Sequence, residues 1–220
     1  MFTPSTDLAA YLRPTWFIDS DHPAVAAFAE GAIGAETAAA EKARALYYAV
    51  RDGIRYDTYE IELSDESMRA SAVLARGIGF CIPKAVLLAA VARAQGIASR
   101  LGFADVRNHL PTDRLLEVMQ DDVLVYHGYV DLLIEGDWVR ATPAFNRSLC
   151  ERLNVDPLEF DGRHDALLQQ FDRAGNEYLE YVNDRGVFAD LPLDQIRAGI
   201  EKHHPALFAA ATRRERQPGP

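Results

Sequence analysis

The stretch Arg76-Gly77-Ile78-Gly79-Phe80-Cys81-Ile82-Pro83-Lys84-Ala85-Val86-Leu87-Leu88-Ala89-Ala90-Val91 decides the reading of this chain. A glycine-rich approach gives way at Cys81 to a run that is apolar nearly all round, the pattern of a helix buried in the middle of a fold. Pro83 fits in a first turn, where the missing N–H costs no helical bond, so the helix starts at about Cys81. Gly96 is its stop signal. A helix N-terminus favours an adjacent thiolate, and the thiolate is the form that attacks carbonyls. The plainer reading of Cys81 is a buried structural cysteine, a common state for this residue type.

Upstream, Asp21-His22-Pro23 marks a helix start, and residues 24–32 carry helical spacing through Val25, Phe28 and Ala29. A second helix spans about residues 37–53, with Ala43, Leu46, Tyr47, Val50 and Ile54 on one face. Residues 56–67 are polar and irregular, and residues 70–74 form a short helical lead into the glycine turn. Downstream the period changes to two. Residues 99–106 and 123–134 read as strands, Glu135-Gly136-Asp137 as a turn, and residues 138–141 as the returning strand. The polar loop 107–121 between the first two strands can border a cleft. Helices followed by an antiparallel sheet make the class α+β. In the last third, residues 157–162 and Asp184-Arg185-Gly186 read as loops, residues 166–171 and 193–203 as helical patches, and residues 213–220 as a flexible tail. Residues 1–212 read as a single domain.

At 220 residues and 49% hydrophobic, the chain has apolar material for one good-sized core. Thirty-three acidic residues against 23 basic ones leave a formal charge of -10, which argues against a nucleic-acid surface and against attraction to anionic lipid. The first residues, Met1 to Leu8, lack a basic start followed by an apolar stretch, and no run approaches the roughly 20 apolar residues that span a bilayer. A cytoplasmic location without membrane contact is the expectation. There the two cysteines, Cys81 and Cys150, stay reduced, and neither they nor the histidines have metal-ligand spacing. No cofactor, metal or calcium loop is expected.

Thiol acyl transfer needs a nucleophile, an imidazole to take its proton, a polar group that fixes the ring, and donors aimed at the oxyanion. His127 lies inside the longer strand. Alternation puts it on one face with Val125, Tyr129, Asp131 and Leu133, opposite the more apolar face of Leu124, Tyr126, Val130, Leu132 and Ile134. A lone strand histidine is ordinarily a satisfied structural group. His109 sits in the polar loop, and His22, His164, His203 and His204 read as helix-end or surface residues. The backbone N–H of Cys81 is the first oxyanion donor, and side chains identify no second.

Together, Gly79-Phe80-Cys81, the helix ending in Arg93-Ala94-Gln95-Gly96-Ile97, His127-Gly128-Tyr129, and Trp138-Val139-Arg140-Ala141-Thr142-Pro143 resemble the transglutaminase-like core over about residues 40–146. The resemblance implies a papain-like arrangement, with a central Cys-bearing helix packed against an antiparallel sheet, Cys81 as nucleophile and His127 as general base. The family's aspartate position is occupied here by Thr142, whose hydroxyl can accept from imidazole but brings no negative charge. Tyr129 stands where many relatives carry tryptophan. Strand geometry offers another ring partner: if Glu135 faces Trp138 across a tight turn, Asn146 falls opposite His127 and Thr142 opposite Asp131. Asn146 and Thr142 both remain candidates, with Asn146 slightly ahead.

The implied activity is a thiol-dependent hydrolase or acyltransferase working through a Cys81 thioester on a peptide or protein amide, or on a small amide. The resemblance favours water over an amine as acyl acceptor. The alternatives are a catalytically impaired module that uses the same cleft for binding, supported by Thr142, and a redox-sensing thiol. Nothing in the sequence bears on oligomeric state.

Overall fold

A computed structural model describes residues 8–58 and 61–215. A 3-10 turn (Leu8–Tyr11) leads to helices α1 (Pro23–Ile33) and α2 (Ala39–Gly53), a short strand β1 (Arg55–Tyr56), helix α3 (Ala70–Arg76) and strand β2 (Ile78–Gly79). Then come α4 (Cys81–Ala94), β3 (Ser99–Asn108), α5 (Asp113–Met119), β4 (Val123–Ile134) and β5 (Asp137–Ala141). The chain continues with α6 (Arg147–Leu153), β6 (Leu179–Phe188), α7 (Leu193–His203) and α8 (Pro205–Glu215). The α+β class holds, with β3 to β6 forming an antiparallel sheet in the order β5-β4-β3-β6.

Helix α4 begins at Cys81, as Pro83 requires, and every residue from Cys81 to Arg93 is buried. It lies against β3 and β4 on one side and against α1, α2 and α3 on the other. Val86, Leu87, Leu88 and Val91 are 0% exposed, and burial of each stabilises the fold by about 2 kcal/mol. Two basic side chains inside this layer are held by backbone carbonyls. Lys84 Nζ donates to the Arg51 and Ile54 carbonyls at the end of α2, at 2.8 and 2.6 Å. Arg93 bridges the carbonyls of Arg13, Ser99 and Ala189, tying the α4 end to the sheet and to the N-terminal segment.

The expected hairpin exists, but its two-residue turn falls one position earlier than the sequence implied. Ile134 pairs with Asp137, Asp131 with Arg140 and Val130 with Ala141. The turn is therefore Glu135-Gly136, both at positive φ (54° and 101°), the conformation that matches strand twist in a two-residue hairpin. Glutamate is not a residue that advertises a left-handed position.

Four further expectations are corrected. Asp184-Arg185-Gly186 lies within β6, where register shifts against β3 absorb the irregularity. Residues 166–171 are extended rather than helical, anchored by bridges Ala141↔Ala166 and Phe171↔Glu177. The loop 107–121 contains α5. His204 is 0% exposed, its ring accepting from Val125 N and meeting the Met119 carbonyl. Of the tail, residues 213–215 complete α8, and residues 216–220 lie outside the described residues. Among the described residues no helix is long and apolar enough to cross a membrane.

Candidate active site

The site is assembled by two short-range devices. First, β1 pairs in parallel with β2, placing Tyr56 beside Gly79, just ahead of Cys81. Second, β5 stops opposite Val130, so the β4 edge beyond it is open, and there the Gly128 N–H points at the Cys81 sulfur. The approach is close. A Cβ on Gly128 would sit 3.2 Å from Ile82 Cα, closer than ordinary van der Waals contact, so glycine lets the strand pass this near to the first turn of α4 without displacing it. His127 thus comes to the helix N-terminus through its neighbour, and both His127 and Cys81 line one cavity of about 350 Å³.

Cys81 is a free thiol, 3% exposed. Its sulfur is met by the N–H groups of Gly128, Ile82 and Cys81 itself and by the Tyr56 hydroxyl, all of which favour the thiolate. Burial outweighs them and pushes the thiol up to about 11, so the expected thiolate is not the resting form at neutral pH. His127 is 5% exposed, and burial pulls its imidazole down to about 4. Its Nε2 is buried without a hydrogen-bond partner. At neutral pH the pair rests as neutral thiol and neutral imidazole.

The two candidate ring partners both sit elsewhere in the hydrogen-bond network. Asn146 caps α6, and its side chain accepts from Tyr56 N at 2.6 Å while donating to the carbonyls of Ile54, at 2.8 Å, and Arg51. Its amide is committed to the α2–β1 junction, and because β5 ends at Ala141 it does not come to lie opposite His127 in the hairpin. Thr142 lies one residue past β5, and its Oγ1 is buried with no hydrogen bond. The Tyr181 hydroxyl stands near it, also unpartnered, and the Tyr181 ring lies 6.5 Å from both the His127 and Tyr129 rings. The imidazole is therefore flanked by aromatic rings, and among the described residues no carboxylate is bonded to it.

Two residues at this site escaped the sequence reading. Tyr56 sits in a two-residue strand whose partner is more than twenty residues away, a pairing without local signal. Tyr181 lies on an edge strand that has half its residues exposed and no clean alternation. Asn146, instead of meeting the imidazole, fixes the backbone of Tyr56.

No curated protein matches the chain. Among solved structures, a candidate cysteine protease from Cytophaga hutchinsonii aligns at 16% identity with a TM-score of 0.49, covering 83% of this chain and 54% of that one. A candidate protease from Parabacteroides distasonis aligns at 15% identity with a TM-score of 0.38, covering 58% of this chain and 26% of that one. The chain thus spans about half the length of the first and about a quarter of the second. The family model described as the Transglutaminase-like superfamily matches residues 26–143, more than half of the 220 residues, from within α1 through β5. With its cysteine at the start of the buried helix and its histidine on the facing strand, the chain belongs to the transglutaminase-like superfamily.

Proposed function

We propose that the chain is a thiol-dependent acyl hydrolase or acyltransferase that opens a carbonyl of a peptide, protein or small amide through a thioester on Cys81. The observation that carries this reading is that His127, whose buried Nε2 has no hydrogen-bond partner, lines the same cavity as Cys81. A satisfied structural histidine would have its nitrogens bonded. In the proposed step the Cys81 sulfur bonds the carbonyl carbon as its proton passes to His127. The oxyanion is received by the Cys81 N–H and the Tyr56 hydroxyl. Collapse breaks the carbon–nitrogen bond, and the imidazolium returns the proton to the leaving amine. Water, or a second amine, then resolves the thioester.

The neutral resting pair fits general-base attack in which charge appears only in the transition state. Thr142 at the aspartate position favours a second reading, a binding module with an impaired centre, because no full negative charge bonds the imidazolium. One measurement separates the two. Incubation with p-nitrophenyl acetate is expected to leave an acetyl adduct on Cys81, visible by mass spectrometry, and His127→Ala is expected to slow its formation by about 10²-fold or more. Equal rates in the parent and His127→Ala would establish the binding module instead.

A further inference from the structure

We propose that the cavity beside Cys81 is a subsite for a large apolar acyl group, so that the acyl donor carries an aromatic or branched aliphatic substituent next to its reacting carbonyl. The inference rests on the acyl-transfer reading of Cys81 given above.

The reactive sulfur opens into a space walled by pieces of many elements: β1, the ends of β3 and β4, α6, the start of β6, α7 and α8. Its composition is sorted. Val106, Met119, Leu179, Ile200 and Leu207 are each 8% exposed or less. Of the charged residues in the lining, Arg55, Asp121, Asp122 and Arg152 are exposed, and the half-buried Asp57 is paired with Arg55 at 2.6 Å. A carboxamide or ionised group pushed inside would lose its water with few partners to replace it, whereas an apolar group gains by transfer. Size narrows the occupant further. An apolar cavity of about 150 Å³ admits a single benzene ring, so the volume of about 350 Å³ here takes a phenylalanine- or leucine-sized group together with the carbonyl that reaches the sulfur. Pockets of this volume and lining are the common form of small-ligand sites.

The test uses the intact chain with three p-nitrophenyl esters: acetate, 3-phenylpropionate and N-acetyl-phenylalaninate. In each case the sulfur–carbon bond forms, the ester carbon–oxygen bond breaks, and p-nitrophenol leaves with the proton the thiol gave up. Each acylation rate is divided by that of the same ester with N-acetylcysteine, which removes intrinsic reactivity. One or both aromatic esters are expected to exceed acetate by at least about tenfold, since each methylene drawn out of water contributes a factor of about four. A lead for N-acetyl-phenylalaninate marks a peptide acyl donor, and a lead for phenylpropionate marks a free carboxylic derivative; either supports the subsite. Leu153→Trp, which narrows the cavity from α6, is expected to bring the ratio toward unity. Independently of any variant, 3-phenylpropionamide should protect Cys81 from iodoacetamide better than acetamide does. Equal normalised rates with equal protection overturn the subsite and leave acyl transfer standing. Absence of a Cys81 adduct with every ester overturns acyl transfer and the subsite with it.

Discussion

At the scale of single residues, the centre is governed by a contest between donors and dehydration. Four donors around the Cys81 sulfur, two of them at the helix start, are a sizeable bias toward thiolate. Removal of the thiol from water is larger, and it also keeps His127 neutral down to about pH 4. A neutral base is what a proton transfer from a neutral thiol requires. The acylation rate of the parent should therefore hold level from about pH 10 down to about pH 5 and fall on an acid limb near 4, well below an ordinary histidine's 6.5. In His127→Ala that limb should vanish, leaving a slower rate that climbs with pH toward 11 as free thiolate takes over. An acid limb at about 6.5 in the parent would show an imidazole in contact with water, contrary to its burial. Tyr56→Phe removes a hydroxyl at the sulfur and leaves the ring in its T-shaped contact with Phe145 at 5.0 Å. Acylation should slow by about 10²-fold with little change in melting temperature, the signature of a lost oxyanion donor; a large drop in melting temperature would mark the hydroxyl as structural.

At the scale of elements, the centre depends on how closely β4 passes α4. Gly128→Ala forces a methyl to within 3.2 Å of the Ile82 backbone, and neither the buried helix nor the central strand can yield cheaply. A loss of about 1–3 kcal/mol is expected, lowering the melting temperature by several degrees for a chain of this size. The Gly128 N–H would also be displaced from the sulfur, so iodoacetamide kinetics at Cys81 should change as well; an unaltered melting temperature would mean the approach is looser than 3.2 Å. The elements most legible in the sequence are those whose signals are local. Pro83 and the apolar run fixed the start of α4, and His22-Pro23 fixed that of α1, where the His22 ring does accept from Ala24 N. The long alternating run of β4 was equally plain. Where the outcome hangs on distant partners, the sequence is silent. Strand β6 is an edge strand with bulges and half its residues exposed, so Asp184-Arg185-Gly186 resembles a turn. Residues 166–171 carry an apolar patch of helical appearance, yet Ala166 is drawn into extended form by bonds to Arg140 and Thr142. Asn146 does not reach the ring because the turn, with Glu135 left-handed, shifts each pairing by two residues and because β5 ends at Ala141, leaving Asn146 outside the hairpin at the start of α6.

At the scale of the whole molecule, three buried titratable groups set an unusual dependence of stability on pH. Lys84, 0% exposed, is pulled down from 10.5 to about 7 by burial, and His127 from 6.5 to about 4. In both cases the unfolded chain holds a proton that the folded chain has released, so stability rises with pH across each interval, by at most about 1.4 kcal/mol per unit. Cys81 has the opposite sign: raised from 9 to about 11, it keeps its proton in the fold while the unfolded chain loses it, and stability falls as pH rises through that interval. From 9 to 10.5 the lysine and cysteine contributions offset one another, and above 10 the buried tyrosines Tyr129 and Tyr178, both pushed up to about 12, add to the decline. The fold should therefore gain stability from about pH 4 to about 9 and lose it beyond about 10, an optimum on the alkaline side of the common range. Lys84→Met isolates the lysine. The Ile54 and Arg51 carbonyls keep a donor in Asn146, so the variant should remain folded, and the gain between pH 7 and 9 should disappear. Urea unfolding at a series of pH values reads this directly. A parent whose stability is flat from pH 7 to 9, matching Lys84→Met, would mean that the amine stays charged inside the fold, stabilised by the α2 carbonyls and Asp52 more strongly than burial opposes it.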